Sequence, residues 1–117
     1  MEIDKIKNIK EFVQVLQSHH LDLITDIVLE DTEITLSKLR TSNKTIEYRR
    51  KIAFIARALY NVSGIAISDY LMVSTVQVSE YIHSAFAQCK ENQDYLQEIR
   101  EIIKKLVEQH QAVFNKI

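Results

Sequence analysis

The sequence predicts an all-α protein, a helical bundle of about six helices, and three observations support that class. The chain contains no proline and a single glycine, Gly64, whereas strand-rich folds draw on a steady supply of Gly, Pro and Asn-Gly turns. Helix-to-helix connections manage with Ser, Thr, Asn or Asp. Apolar residues recur at spacings of three and four along most of the chain, which sets them on one face of a helix. At 117 residues the chain has the size of one domain around one core.

Ile3, Ile6, Ile9, Phe12, Val13 and Leu16 describe a first amphipathic helix that stops near Ser18-His19-His20. A second passes through Leu21, Ile24, Ile27 and Val28, either ending there or continuing with a kink through Ile34 to Leu39. Thr41-Ser42-Asn43 reads as a loop whose side chains suit the cap of the next helix. The third helix covers Thr45 to Asn61, with Ile52, Ile55, Ala56 and Leu59 on one face, and Gly64 supplies the left-handed residue favoured at helix ends. A short helix from Ala66 to Leu71 leads through a tight turn into another from Ser74 to Cys89. The last begins near Asn92 or Asp94 and runs toward the C-terminus. Val73 to Ser79, VSTVQVS, is rich in β-branched residues that suit a strand. No partner strand with a turn lies nearby, so helix is retained. Residues 1–117 thus form a single domain: an acidic N-terminal helical pair (1–41), a core (45–89) and an amphipathic C-terminal helix (92–117).

The formal charge of −1 conceals an asymmetry: residues 1–37 carry a net −5, residues 38–57 a net +6 and residues 58–117 a net −2. The near-neutral total argues against a general nucleic-acid coat protein, while a concentrated basic segment fits a local phosphate contact as well as a solvated linker. The lone cysteine, Cys89, has no intramolecular disulfide partner, and the polar MEIDKIKNIK start is not a secretory signal. No apolar run reaches the length of a membrane span, so no membrane partner and a cytoplasmic location are expected.

The segment ISDYLMVSTVQVSEYI, Ile67 to Ile82, carries a helix-turn-helix pattern. Two short helices crossing steeply need apolar residues where they share a core, here Ile67, Leu71, Val73, Val78 and Ile82, and a small residue where they approach, here Ser68. Ser74-Thr75-Val76-Gln77 reads as a capping box: the Ser74 hydroxyl accepts from the Gln77 amide, and the Gln77 side chain reaches back. Thr75, Val76, Ser79, Glu80 and His83 then face outward, where a helix laid in the major groove meets base edges. Any compact three-helix core can imitate this spacing, so an architectural role stays open beside the DNA-binding one.

A longer stretch, Arg49 to Ala85, resembles the C-terminal DNA-binding domain of the bacterial replication initiator DnaA, of the Trp-repressor-like group. The carrying residues are Arg49-Arg50-Lys51, Leu59, Ser63, Ile67, Leu71 and Val78, in RRKIAFIARALYNVSGIAISDYLMVSTVQV. The resemblance implies a basic helix start that touches DNA, with Arg49 or Arg50 in the place of the family's basic-loop arginine. It also implies a second motif helix in the major groove, with Ser74, Thr75, Val76 and Gln77 in the places of the family's Asp-His-Thr-Thr signature. That signature is replaced here, Met72 stands for a usual Gly, and no nucleotide-binding Gly-rich loop occurs. The candidate contacts to double-stranded DNA are therefore Lys44, Arg49, Arg50, Lys51, Ser74, Thr75, Gln77, Ser79 and His83, with Arg49, Arg50 and the outward helix face expected on one positive surface.

Leu96, Ile99, Ile103, Leu106, His110, Val113 and Ile117 repeat at alternating spacings of three and four, widened by Ile102, Val107 and Phe114. Such a stripe serves either to dock the helix on its own bundle or to join a homodimer. His19, Asp22, Asp26 and Glu30 share a helix face able to attract a cation or a basic partner, but they lack a recognisable metal motif and read as a solvated face. No Ser-His-Asp, Cys-His or paired-cysteine arrangement is visible, so neither catalysis, cofactor nor metal is expected. The alternative to DNA binding is a helical protein-interaction module, an inhibitor or adaptor, built on the acidic N-terminal half and the apolar tail.

Overall fold

A computed structural model describes the backbone of residues 8–115 and side chains as far as Gln109; Ile3 and Ile6, and the stripe residues His110, Val113, Phe114 and Ile117, lie outside those limits. The described residues form six α-helices and one 3-10 turn: α1 (Ile9–Val28), α2 (Leu36–Thr41), the 3-10 turn (Asn43–Thr45), α3 (Ile46–Tyr60), α4 (Gly64–Leu71), α5 (Thr75–Glu91) and α6 (Gln93–Asn115). No strand occurs among them, and none of their helices is long and apolar enough to cross a membrane.

α3 is the central helix, packed against α5 on one side and α1 on the other. Its Ile52, Ile55, Ala53 and Ala56 are fully buried, and the two alanines let neighbouring helices approach closely. Leu21 and Ile24 of α1, Leu39 of α2, Ile67 and Leu71 of α4 and Val78 of α5 complete the interior. Ile99 and Leu106 of α6 are buried with them, so the described part of the C-terminal stripe covers the protein's own core.

Two expectations are corrected. The Ser18-His19-His20 break is absent: α1 runs unbroken through it, because Ser and His disfavour a helix only weakly and tertiary contact outweighs such a preference. Here the His20 ring stacks on Tyr60 of α3 at a centroid distance of 4.1 Å, fixing it inside the helix. The acidic N-terminal region is thus one long helix and the short α2, joined by a turn in which Asp31 adopts a left-handed backbone.

Gly64 is not the left-handed residue after α3 either. Asn61 takes that conformation, with φ 52°, and its amide and that of Val62 close the end of α3 on the carbonyls of Arg57 and Ala56. Gly64 instead opens α4 just after Ser63, whose hydroxyl accepts from the Ala66 amide at 3.1 Å. VSTVQVS is helical from Thr75 on, since the Ser74 cap and burial of Val78 override the β-branched preference.

Candidate nucleic-acid interface

The corner between α4 and α5 spans only Met72, Val73 and Ser74. Met72 carries the sharp change of direction in a left-handed conformation, φ 58°, a position that favours glycine. Ser68 closes the corner: its carbonyl accepts from the Val73 amide at 3.1 Å and its hydroxyl donates to the Val73 carbonyl. A larger side chain there would lose that bond and push the helices apart. Val73 and Ile82 pack against the buried Ile67, Leu71 and Val78, so all five apolar positions face the shared core.

Ser74 caps α5, its hydroxyl accepting from the Gln77 amide at 3.1 Å, which forms the amide half of the expected box. The Thr75 and Val76 amides precede the first intrahelical bond and point out of the helix N-terminus. Ser74, Thr75, Val76, Ser79, Glu80 and His83 are exposed, and Gln77 is half-buried. Val76, 68% exposed, and Met72, 71% exposed, place two large apolar side chains at the tip of the corner.

The basic residues ahead of the corner are deployed differently from the sequence expectation. Arg49 is only 6% exposed, so it forms no positive surface with α5. Its Nη1 donates to the carbonyls of Leu39 (2.7 Å) and Ser42 (2.9 Å) and to Thr45 Oγ1 (3.1 Å), and its Nε donates to Tyr81 Oη of α5 (3.1 Å). Arg50 forms an ion pair with Glu47 one turn earlier on α3. Lys51 pairs with Glu98 of α6 at 2.6 Å and lies over the rings of Tyr48 and Tyr95. A helix start that reads as a basic ridge in sequence is consumed by partners 32 and 47 residues downstream.

Unpaired positive charge remains in the segment before α3, on α2 and in the 3-10 turn. Lys38 and Lys44 are exposed and form no ion pair among the described residues. Arg40 reaches the corner directly: its Nε donates to the Tyr70 carbonyl in the last turn of α4 at 2.8 Å, with its guanidinium 5.5 Å from the Tyr70 ring centre. Of the residues read from sequence, the structure therefore brings Lys44, Ser74, Thr75, Ser79 and His83 to the surface and withdraws Arg49. Lys38 and Arg40 are the additions. They lie in the same basic run, but only the folded structure shows that Arg40 touches the corner.

The expected acidic stripe is engaged in part: Asp22 of α1 accepts from Tyr70 Oη at 2.9 Å, and Glu30, in the turn after α1, pairs with Lys105 at 2.7 Å. Burial, reinforced by Asp22, pushes the Tyr70 phenol up to about 12. Among the described residues no group of three or more His, Cys, Asp or Glu is placed to hold a metal ion. Cys89 is half-buried, and burial raises its thiol pKa. A cleft of about 370 Å³ between α1 and α4 is lined by Gln14, Gln17, Ser18, Ser63, Asp69 and Tyr70 among others, without a nucleophile and base in contact. Comparison of the chain with protein-family models, curated proteins and solved structures finds no match to any of them.

Proposed function

We propose that the protein binds double-stranded DNA, with the α4–α5 corner acting as a helix-turn-helix and α5 lying in the major groove. The observation that carries this reading is the exposure of the first turns of α5, Thr75, Val76, Ser79, Glu80 and His83, together with a basic segment, Lys38, Arg40 and Lys44, that Arg40 and Arg49 join to α4 and α5. The hydroxyls and the open amides at the start of α5 suit phosphate and base edges. Val76 suits a thymine methyl, and Glu80 a cytosine amino group. The resemblance of Arg49 to Ala85 to the initiator's DNA-binding domain supports the same orientation. The role of its basic-loop arginine passes here from Arg49 to the residues of that segment.

Selection of bound duplexes from a random-sequence pool tests the reading. Enrichment of a common short motif is the expected result, and a pool that stays random, or is not retained at all, contradicts it. A second reading, a helical protein-interaction module, has the exposed Ile65, Met72 and Val76 in its favour. Stoichiometric co-purification of one protein from nuclease-treated lysate, with no duplex retained, would select it. Because Ile99 and Leu106 are buried within one chain, the DNA-binding reading needs no dimer through α6.

A further inference from the structure

Two arginines tie the basic segment 38–44, the end of α2 and the 3-10 turn, to the two helices of the corner. Arg40 holds it to the end of α4 through the Tyr70 carbonyl. Arg49 holds it to α5, since one planar guanidinium grips the carbonyls of Leu39 and Ser42 with Nη1 and the Tyr81 hydroxyl with Nε. Thr45 completes the joint, its hydroxyl donating to the Leu39 carbonyl at 2.9 Å and its amide to the Ser42 carbonyl at 3.3 Å. No carboxylate forms an ion pair with Arg49 among the described residues; its charge rests on carbonyls at the C-terminal end of α2, where the helix dipole is negative. A buried ion of this kind is a poor source of stability compared with apolar packing, and fixing the register between elements is its best-attested use.

We propose that Arg49 is a positioning residue for DNA binding: through Tyr81 it fixes the height of segment 38–44 against α5, so that Lys38 and Lys44 meet the phosphates flanking the groove that α5 enters. This rests on the DNA-binding reading and adds to it a residue that never touches the DNA. The link predicts coupling between the buried phenol and two exposed lysines that it does not contact.

The test is a double-mutant cycle on the full chain, using a duplex selected with the wild-type protein and fluorescence anisotropy as the readout. Tyr81→Phe removes one oxygen and keeps the ring that fills the core. It is expected to weaken binding about fivefold, about 1 kcal/mol at roughly 1.4 kcal/mol per tenfold, and to flatten the salt dependence. In a Lys38→Ala, Lys44→Ala background the same change should weaken binding less than about twofold. Arg49→Lys, which keeps the charge but cannot span both partners, should give the same pattern, and near-UV circular dichroism identifies whichever variant is folded. An equal loss in both backgrounds, or an unchanged affinity and salt slope, overturns the positioning role while leaving the DNA-binding reading standing. Failure of the wild-type protein to retain any duplex overturns both.

Discussion

Replacing Arg49 with Ala separates the buried residue of the structure from the exposed contact that its sequence position suggests. An exposed arginine away from special features changes stability by at most about 0.5 kcal/mol. Arg49 is 6% exposed, and its removal has two consequences. The Leu39 carbonyl keeps the Thr45 hydroxyl as a donor and the Ser42 carbonyl keeps the Thr45 amide, but Tyr81 Oη, on a residue only 2% exposed, loses the bond from Nε. An unsatisfied buried hydroxyl costs about 1–3 kcal/mol. Loss of the packed aliphatic stem adds about 2 kcal/mol at roughly 0.8 kcal/mol per methylene. The expected destabilisation is therefore about 3–5 kcal/mol, the sum of those two costs. For a domain of this size it lowers Tm by about 12–20 °C. Urea unfolding followed by circular dichroism measures it, and Arg49→Ala with Tyr81→Phe should recover about 1 kcal/mol by removing the orphaned hydroxyl. A loss below about 0.5 kcal/mol for Arg49→Ala, as at a surface site, would refute the buried joint.

Gly64→Ala should raise stability by about 0.5–1 kcal/mol, because the glycine is helical and an added Cβ meets nothing within 4 Å; a loss in urea unfolding contradicts this. Tyr95→Phe should be neutral or stabilising by about 1 kcal/mol, since Tyr95 Oη is buried without a hydrogen-bond partner. Burial, with Glu47 and Cys89 nearby, also pushes Tyr95 up to about 12, as burial does Tyr70. Both phenols hold their protons more tightly folded than unfolded, so their contribution is intact below about pH 10 and is lost between about pH 10 and 12. Alkaline unfolding should therefore begin in that window and be shallower in Tyr95→Phe, whereas an equal slope would contradict the assignment. Lys38→Ala with Lys44→Ala should weaken all duplexes alike, while Thr75→Ala or Ser79→Ala should change which duplexes are preferred; competition anisotropy with matched and scrambled duplexes separates the two patterns.

Local signals carried the architecture. Three-and-four spacing located the helices, the missing proline and lone glycine excluded a strand-rich fold, and Ser74 marked the start of α5 to within a residue. Errors arose where a local signal competed with a distant contact. Ser18-His19-His20 looks like a stop until His20 meets Tyr60, and Gly64 looks like a helix end until Asn61 takes the left-handed turn. The candidate site shows the same division. Outward positions on α5 follow from helical geometry alone and were legible. The fates of Arg49 and Lys51 depended on Tyr81 and Glu98, whose proximity no spacing rule reveals. The run from Lys38 to Arg57 is basic in sequence, yet folding leaves its unpaired lysines on α2 and the 3-10 turn rather than on the α3 helix start.

The most direct measurement of the central claim is the salt dependence of binding to a selected duplex. Three phosphate contacts, from Lys38, Arg40 and Lys44, give a log-log slope of about −3 at roughly −0.9 per contact. That slope should fall to about −1 when both lysines are replaced by Ala. Binding that ignores salt, or a slope unchanged by those replacements, would contradict a DNA interface built from α5 and the basic segment 38–44.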